Sequence, residues 1–209
     1  MQFKTITLMT EAVYKEKSSE FLAFAYPIGS EDDAAEHLAV LKKKYFDATH
    51  HCYAWKLNTG NEKFSDDGEP AGTAGKRILN AILHYDLTNV MIVVVRYYGG
   101  TKLGVGPLGV AYFSAAEQAL AAATISDLTV AREVIFSFPP AYYGNVLSLL
   151  HKHNIRIAAS SFDDEAKLTT YLPDEITNRT EPDFVNATAG SGAVIRSKET
   201  MLLPSKDFA

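Results

Sequence analysis

The sequence predicts an α+β chain of two domains, and three observations carry that expectation. At 209 residues with 47% hydrophobic residues, the chain is long enough for one large core or two small ones. Short strand-like runs alternate with apolar stripes at three- and four-residue spacing. A polar connection, Ile125-Ser-Asp-Leu-Thr129, separates one such set from another, giving expected domains of residues 1–130 and 131–209.

Phe21 to Pro27, rich in aromatics and closed by proline and glycine, predicts a strand. A helix follows from Glu31 to about Phe46, with acids in its first turn and Lys42, Lys43 and Lys44 in its last, which matches the macrodipole at both ends. Its inner face carries Ala34, Leu38, Leu41 and Tyr45, so the lysine run reads as a solvated helix end. His50 to Leu57 is the next strand, with His50, Cys52 and Ala54 on one face and His51, Tyr53 and Trp55 on the other. Ile78, Leu79, Ile82 and Leu83 mark a helix ending near Asp86. Val90 to Val95 has no polar alternation, which predicts a central strand covered on both faces. Pro107 suits a first helical turn, and Leu108, Ala111, Tyr112, Ala115, Ala119 and Leu120 carry that helix to about Ala123. In the second set, Arg132 to Phe138 predicts a strand, Pro140 to His153 a helix, and Ile155 to Phe162 and Lys167 to Leu172 two further strands. Residues 174 to 191, polar and rich in Gly and Pro, show no firm helix.

The net charge of −5 argues against a protein that coats nucleic acid through bulk electrostatics, because that mode needs many cations to displace counterions. A local basic patch is compatible with it. The single cysteine, Cys52, leaves no intramolecular disulfide, and Met1-Gln-Phe-Lys-Thr5 lacks the pattern of a secretory signal, so the expected compartment is the cytoplasm. Val90 to Val95 is far shorter than the roughly 20 apolar residues of a membrane helix, and no membrane partner is expected.

Two glycine-punctuated segments carry the candidate chemistry, Ser65 to Gly75 and Arg96 to Pro107. Each leads from extended structure into a helix start. In the second, the backbone at Gly99, Gly100, Thr101 and Gly104 with the cations Arg96 and Lys102 forms a candidate anion cradle, and Lys76 and Arg77 add charge at the start of the preceding helix. Gly104-Val-Gly106-Pro-Leu-Gly109 matches GxGxxG formally. It is not a dinucleotide site, because Gly104 lies well past the strand end at Val95 and no acid closes the following strand. Gly99-Gly-Thr-Lys102 likewise lacks the order of a P-loop. Asp66-Asp-Gly-Glu-Pro70 is a turn by composition, Thr73 is placed to cap the helix after it, and Asp66, Asp67 and Glu69 are candidate ligand or partner contacts. His50, His51 and Cys52 resemble a metal cluster on paper, but strand alternation turns His51 away, and no metal or other cofactor is expected. No nucleophile and base are readable together, so no catalytic residue is assigned.

Asp47 to Ala54, Phe64 to Gly75, Val95 to Gly104 and the shorter Lys17-Ser-Ser-Glu-Phe21 together resemble the signature of the IMPACT/YigZ family. The resemblance implies an N-terminal ribosomal-protein-type β-α-β domain and a ferredoxin-like C-terminal domain similar to one in elongation factor G. Eukaryotic relatives regulate translation under starvation. For the two-domain bacterial layout the resemblance implies an RNA- or ribosome-related role, with RNA or a ribosome-associated protein as partner. The alternative is a metal-assisted hydrolase using Asp66, Asp67, Glu69 and His50. One departure is local: where the family commonly has Gly-Gly-Leu-Val-Arg-Ala-Tyr, this chain has Gly106-Pro-Leu-Gly-Val-Ala-Tyr112, so Val110 stands in place of a cation and more of any anion site falls to Arg96 and Lys102.

Overall fold

The computed structural model describes residues 2–208, which divide into two units, Phe3–Ser126 and the residues from Asp127 onward together with Gln2.

The first unit contains β1 (Gln2–Ile6), β2 (Thr10–Glu16), β3 (Ser19–Pro27), α1 (Glu31–Lys44), β4 (His50–Lys56), β5 (Glu62–Ser65), α2 (Gly75–His84), β6 (Val90–Tyr97) and α3 (Val105–Ala121). Five of these strands form an antiparallel sheet in the order β2-β3-β6-β4-β5. The uniformly apolar β6 lies at its centre. Val90, Ile92 and Val94 enter the core shared with α2 and α3, while Met91, Val93 and Val95 enter the core shared with α1. Pleating explains why such a strand needs apolar residues at every position. β4 obeys the same rule, sending Cys52 and Ala54 to one core and Trp55 to the other.

Helix α1 starts at a reciprocal cap: Asp33 N–H donates to Ser30 Oγ at 3.1 Å, and Ser30 N–H donates to Asp33 Oδ2 at 3.1 Å. Helix α3 packs through small residues, with Ala111, Ala115, Ala116 and Ala119 all fully buried.

The second unit contains β7 (Ile125–Phe138), α4 (Tyr143–Lys152), β8 (Ala159–Phe162), β9 (Ala166–Leu172), α5 (Asp174–Ala187), β10 (Ala193–Arg196) and β11 (Met201–Pro204). The strands run antiparallel in the order β10-β7-β9-β8, the β-α-β-β-α-β arrangement of a ferredoxin-like fold. One core joins Val134, Phe136, Phe138 and Leu168 of the sheet to Val146, Leu149 and Leu150 of α4 and Phe184 of α5.

Three expectations need correcting. The Ile125–Thr129 connection is the beginning of β7, because β11 pairs with it in the register Met201 to Ala131 and Leu203 to Thr129. The strand expected over residues 155–162 is confined to Ala159–Phe162. Residues 174–187, where no firm helix was expected, form α5, with Pro182 inside it and Thr177, Thr180 and Phe184 buried.

Candidate functional site

The two glycine segments meet over the end of β6. The loop after β5 turns through Asp67 at φ 42° and Gly68 at φ 90°, the left-handed conformations that Asp-Gly was expected to supply. The loop holds its shape through Asp66. Its Oδ1 accepts from the N–H groups of Ala74 at 3.0 Å and Gly75 at 2.8 Å, and its Oδ2 accepts from Gly72 N–H at 2.8 Å. Asp66 therefore caps α2, the role expected of Thr73, whose hydroxyl instead donates to Pro70 O at 2.6 Å. Asp67 Oδ2 accepts from His51 N–H at 2.6 Å, and its other oxygen lies 3.4 Å from Lys42 Nζ, so one of the helix-end lysines reaches this loop.

Glu69 is carried inward by the same turn. Its Oε1 accepts from Arg96 Nη1 at 2.5 Å and from the Tyr112 hydroxyl at 2.7 Å, and its Oε2 lies 3.8 Å from His50 Nε2. Arg96 also donates from Nη2 to Ser19 Oγ at 3.3 Å, and its guanidinium lies against the rings of Phe21 and Tyr98. The Arg96 Nε is buried without an acceptor among the described residues. Cys52 Sγ donates toward Tyr112 Oη at 3.3 Å and Asp66 O at 3.0 Å. Burial pushes the Cys52 thiol and the Tyr112 phenol well above their ordinary pKa values, so both stay protonated and neither is a ready nucleophile.

Above this floor a cleft of about 450 Å³ is lined by His50, Glu69, Arg96, Lys102, Gly104 and Leu108, among others. Gly104 holds φ at 86° and begins α3 without a side-chain cap. The N–H groups of Val105 and Gly106 have no acceptor among the described residues, and Pro107 has no N–H to offer. Lys102 is exposed beside them.

The structure thus gathers Arg96, Lys102, Gly104 and Glu69 at one cleft. Arg96 was expected to face an anion, but it is 5% exposed and already has Glu69 as counter-ion. Gly100 and Thr101 are exposed on the approach to Lys102, and Gly99 is pressed against the Ser18 backbone, where an added Cβ would lie 1.9 Å from Ser18 O. Lys76 and Arg77 sit elsewhere: Lys76 lies over the Phe64 ring and Arg77 packs beside Gly109. Sequence reasoning missed Ser19, Cys52 and Tyr112 as polar members of the network. Ser19 and Cys52 lie within strings that carried the family resemblance, whereas Tyr112 reads as an ordinary member of an apolar stripe.

Residues 17–120 match the profile of the Impact N-terminal domain. A relative from Thermus thermophilus, "IMPACT family member in pol 5'region", is 37% identical over 155 residues, covering 74% of this chain and 84% of that protein. "IMPACT family member YigZ" of Escherichia coli is 32% identical over 161 residues, covering 75% and 79%. A solved structure described as a hypothetical protein is 28% identical and superimposes with a TM-score of 0.67, covering 95% of this chain and 98% of that one. The glycine-segment architecture and these matches coincide over the same residues, and the chain belongs to the IMPACT/YigZ family.

Proposed function

We propose that this protein is a cytoplasmic RNA-binding module linked to the regulation of translation, and that its N-terminal unit holds an RNA phosphate at the mouth of the cleft. The observation that carries this reading is the first turn of α3. At the positive end of a 17-residue helix, Val105 lines the cleft together with the exposed Lys102, and the N–H groups of Val105 and of the adjoining Gly106 have no acceptor among the described residues. Arg96 and Glu69 form the floor beneath it and do not serve as phosphate ligands. The role in translation rests on the family resemblance.

The hydrolase alternative finds its carboxylates engaged. Asp66 holds three backbone N–H groups, Asp67 holds His51 N–H, and Glu69 holds Arg96 and Tyr112. Among the described residues, no three His, Cys, Asp or Glu side chains are grouped to hold a metal ion.

The test is the affinity for a single-stranded RNA across a salt series, for Lys102→Ala and for the control Lys43→Ala, which removes an equal charge from the exposed end of α1. Loss of one phosphate contact flattens the slope of log affinity against log salt by about 0.7 to 1. That change in Lys102→Ala alone supports the site. An equal change in both variants indicates diffuse attraction, and no change in the first overturns the reading. Ribonuclease treatment of material retained by the tagged protein separates RNA from a ribosome-associated protein as the partner.

A further inference from the structure

From residue 127 onward the chain has four arginines, and they fall into two pairs. Arg132 is bridged to Asp174 at 2.8 Å and Arg196 to Glu181 at 2.5 Å. Arg156 and Arg179 have no ion-pair partner among the described residues, both are exposed, and both line the same cavity. That cavity, about 320 Å³, lies within the C-terminal unit, between the chain that leaves α4, the end of β9 and the first turns of α5. Ile155, Leu172 and Leu203 supply apolar walls, and Tyr171 and Phe208 supply rings. Asp207 is the one carboxylate among its lining residues, so two guanidinium groups face one acid.

A surface arginine with no partner is unremarkable by itself, because water solvates it. Two of them lining one partly open cavity of mixed polar and apolar character are different. Guanidinium forks match the oxygens of a phosphate or carboxylate, and the walls beside them match a hydrophobic body, which together describe an amphipathic anion. The volume is within the range of small-molecule sites, roughly 300–1,000 Å³. We propose that this cavity binds a small organic oxyanion with an aromatic or branched apolar group, its charged end held by Arg156 and Arg179. The site lies in the other unit from the RNA site and does not depend on that reading.

The experiment uses the full chain labelled with ¹⁵N and titrated separately with phenyl phosphate, 3-phenylpropionate, inorganic phosphate, benzyl alcohol and a short single-stranded RNA. Saturable shifts in the amides of Tyr171, Ile176 and Arg179 are expected with at least one of the two phenyl anions, and which one binds identifies the charged group. Inorganic phosphate and benzyl alcohol, each carrying half of the recognition, are expected to bind at least about tenfold more weakly. Arg156→Ala and Arg179→Gln are expected to weaken the phenyl anion by about tenfold or more, and Lys198→Ala, exposed outside the cavity, to leave it unchanged. The proposal is overturned if neither phenyl anion shifts these amides, if the arginine variants bind as the parent does, or if inorganic phosphate binds equally well. Shifts produced only by a single-stranded RNA would also overturn it, pointing to a nucleic-acid surface instead.

Discussion

Arg96 and Glu69, 27 residues apart in sequence, close on each other as a buried pair, with Nη1 donating to Oε1 at 2.5 Å and side chains only 6% and 4% exposed. The pair fastens the loop after β5 to the centre of the sheet. It also settles what Arg96 does electrostatically, since its charge is matched inside the protein before any ligand arrives.

Removing one member of such a pair strands the other charge, at a cost of about 3–5 kcal/mol. Arg96→Met is expected to lose that much unfolding free energy in urea. Glu69→Gln, which keeps an acceptor for Tyr112, should lose less, and the double variant should lose less than the two singles combined. Strictly additive losses would mean that the two side chains are not coupled.

Asp66 has a second, separable role. Asp66→Ala strips acceptors from three backbone N–H groups at the start of α2, and at about 1–3 kcal/mol for each buried donor left unpaired the expected loss is at least about 2 kcal/mol. Asp66→Asn, which retains one oxygen, should lie between the parent and the alanine variant. Thr73→Ala should cost less than Asp66→Ala in the same denaturation series, and the reverse order would return the cap to Thr73.

Glycine is required at some positions of these loops and not at others. Gly99→Ala places a Cβ 1.9 Å from Ser18 O, and Gly75→Ala places one 2.6 Å from Ser65 O, so backbone must move in both cases. Thermal unfolding of each variant should begin at lower temperature than in the parent. At Gly106 nothing lies within 4 Å and the position is helical, so Gly106→Ala should be neutral or stabilising by up to about 1 kcal/mol. Equal melting temperatures across the three variants would contradict the packing described for Gly99 and Gly75.

His51 gives a pH signature. Burial lowers its pKa in the folded protein, and its Nε2 has no partner among the described residues. As pH falls, the unfolded chain takes up the proton first. The contribution to stability is therefore fully present above the unfolded value, near 6.5, and is lost as pH drops from there through the folded value. Unfolding free energy measured between about pH 7 and pH 5 should fall more steeply in the parent than in His51→Gln. Parallel curves would assign the pH dependence to other groups.

Much of the first unit is legible because its signals are local. The unbroken apolar run of β6 announces burial on two faces, and the acids and lysines at the ends of α1 announce its limits. Helix α5 is hidden because its buried positions include threonines. Thr177 donates to Pro173 O at 3.2 Å and the C-cap Thr188 to Phe184 O at 2.9 Å, so backbone carbonyls satisfy two hydroxyls that read as polar in the sequence, whereas the Thr180 hydroxyl is buried without a partner among the described residues. The first half of β7 is hidden because its partner β11 lies far along the chain. The site divides in the same way. Its glycines and charges stand out one by one, but that Glu69 neutralises Arg96, and that Asp66 caps a helix nine residues on, follows only once the loop lies over the sheet.

Cys52 is the chain's single cysteine and is wholly buried on β4, with its thiol held protonated by burial. A thiol-reactive dye can modify it only when the helices and the Asp66 loop that cover that face of the sheet move away, so the labelling rate in native buffer is a built-in clock for opening of the N-terminal unit. The C-terminal unit has no thiol, so an opening confined to that unit would leave no mark on that clock. The chain thus comes with a reporter that times one half of the molecule, without a label having to be engineered into either.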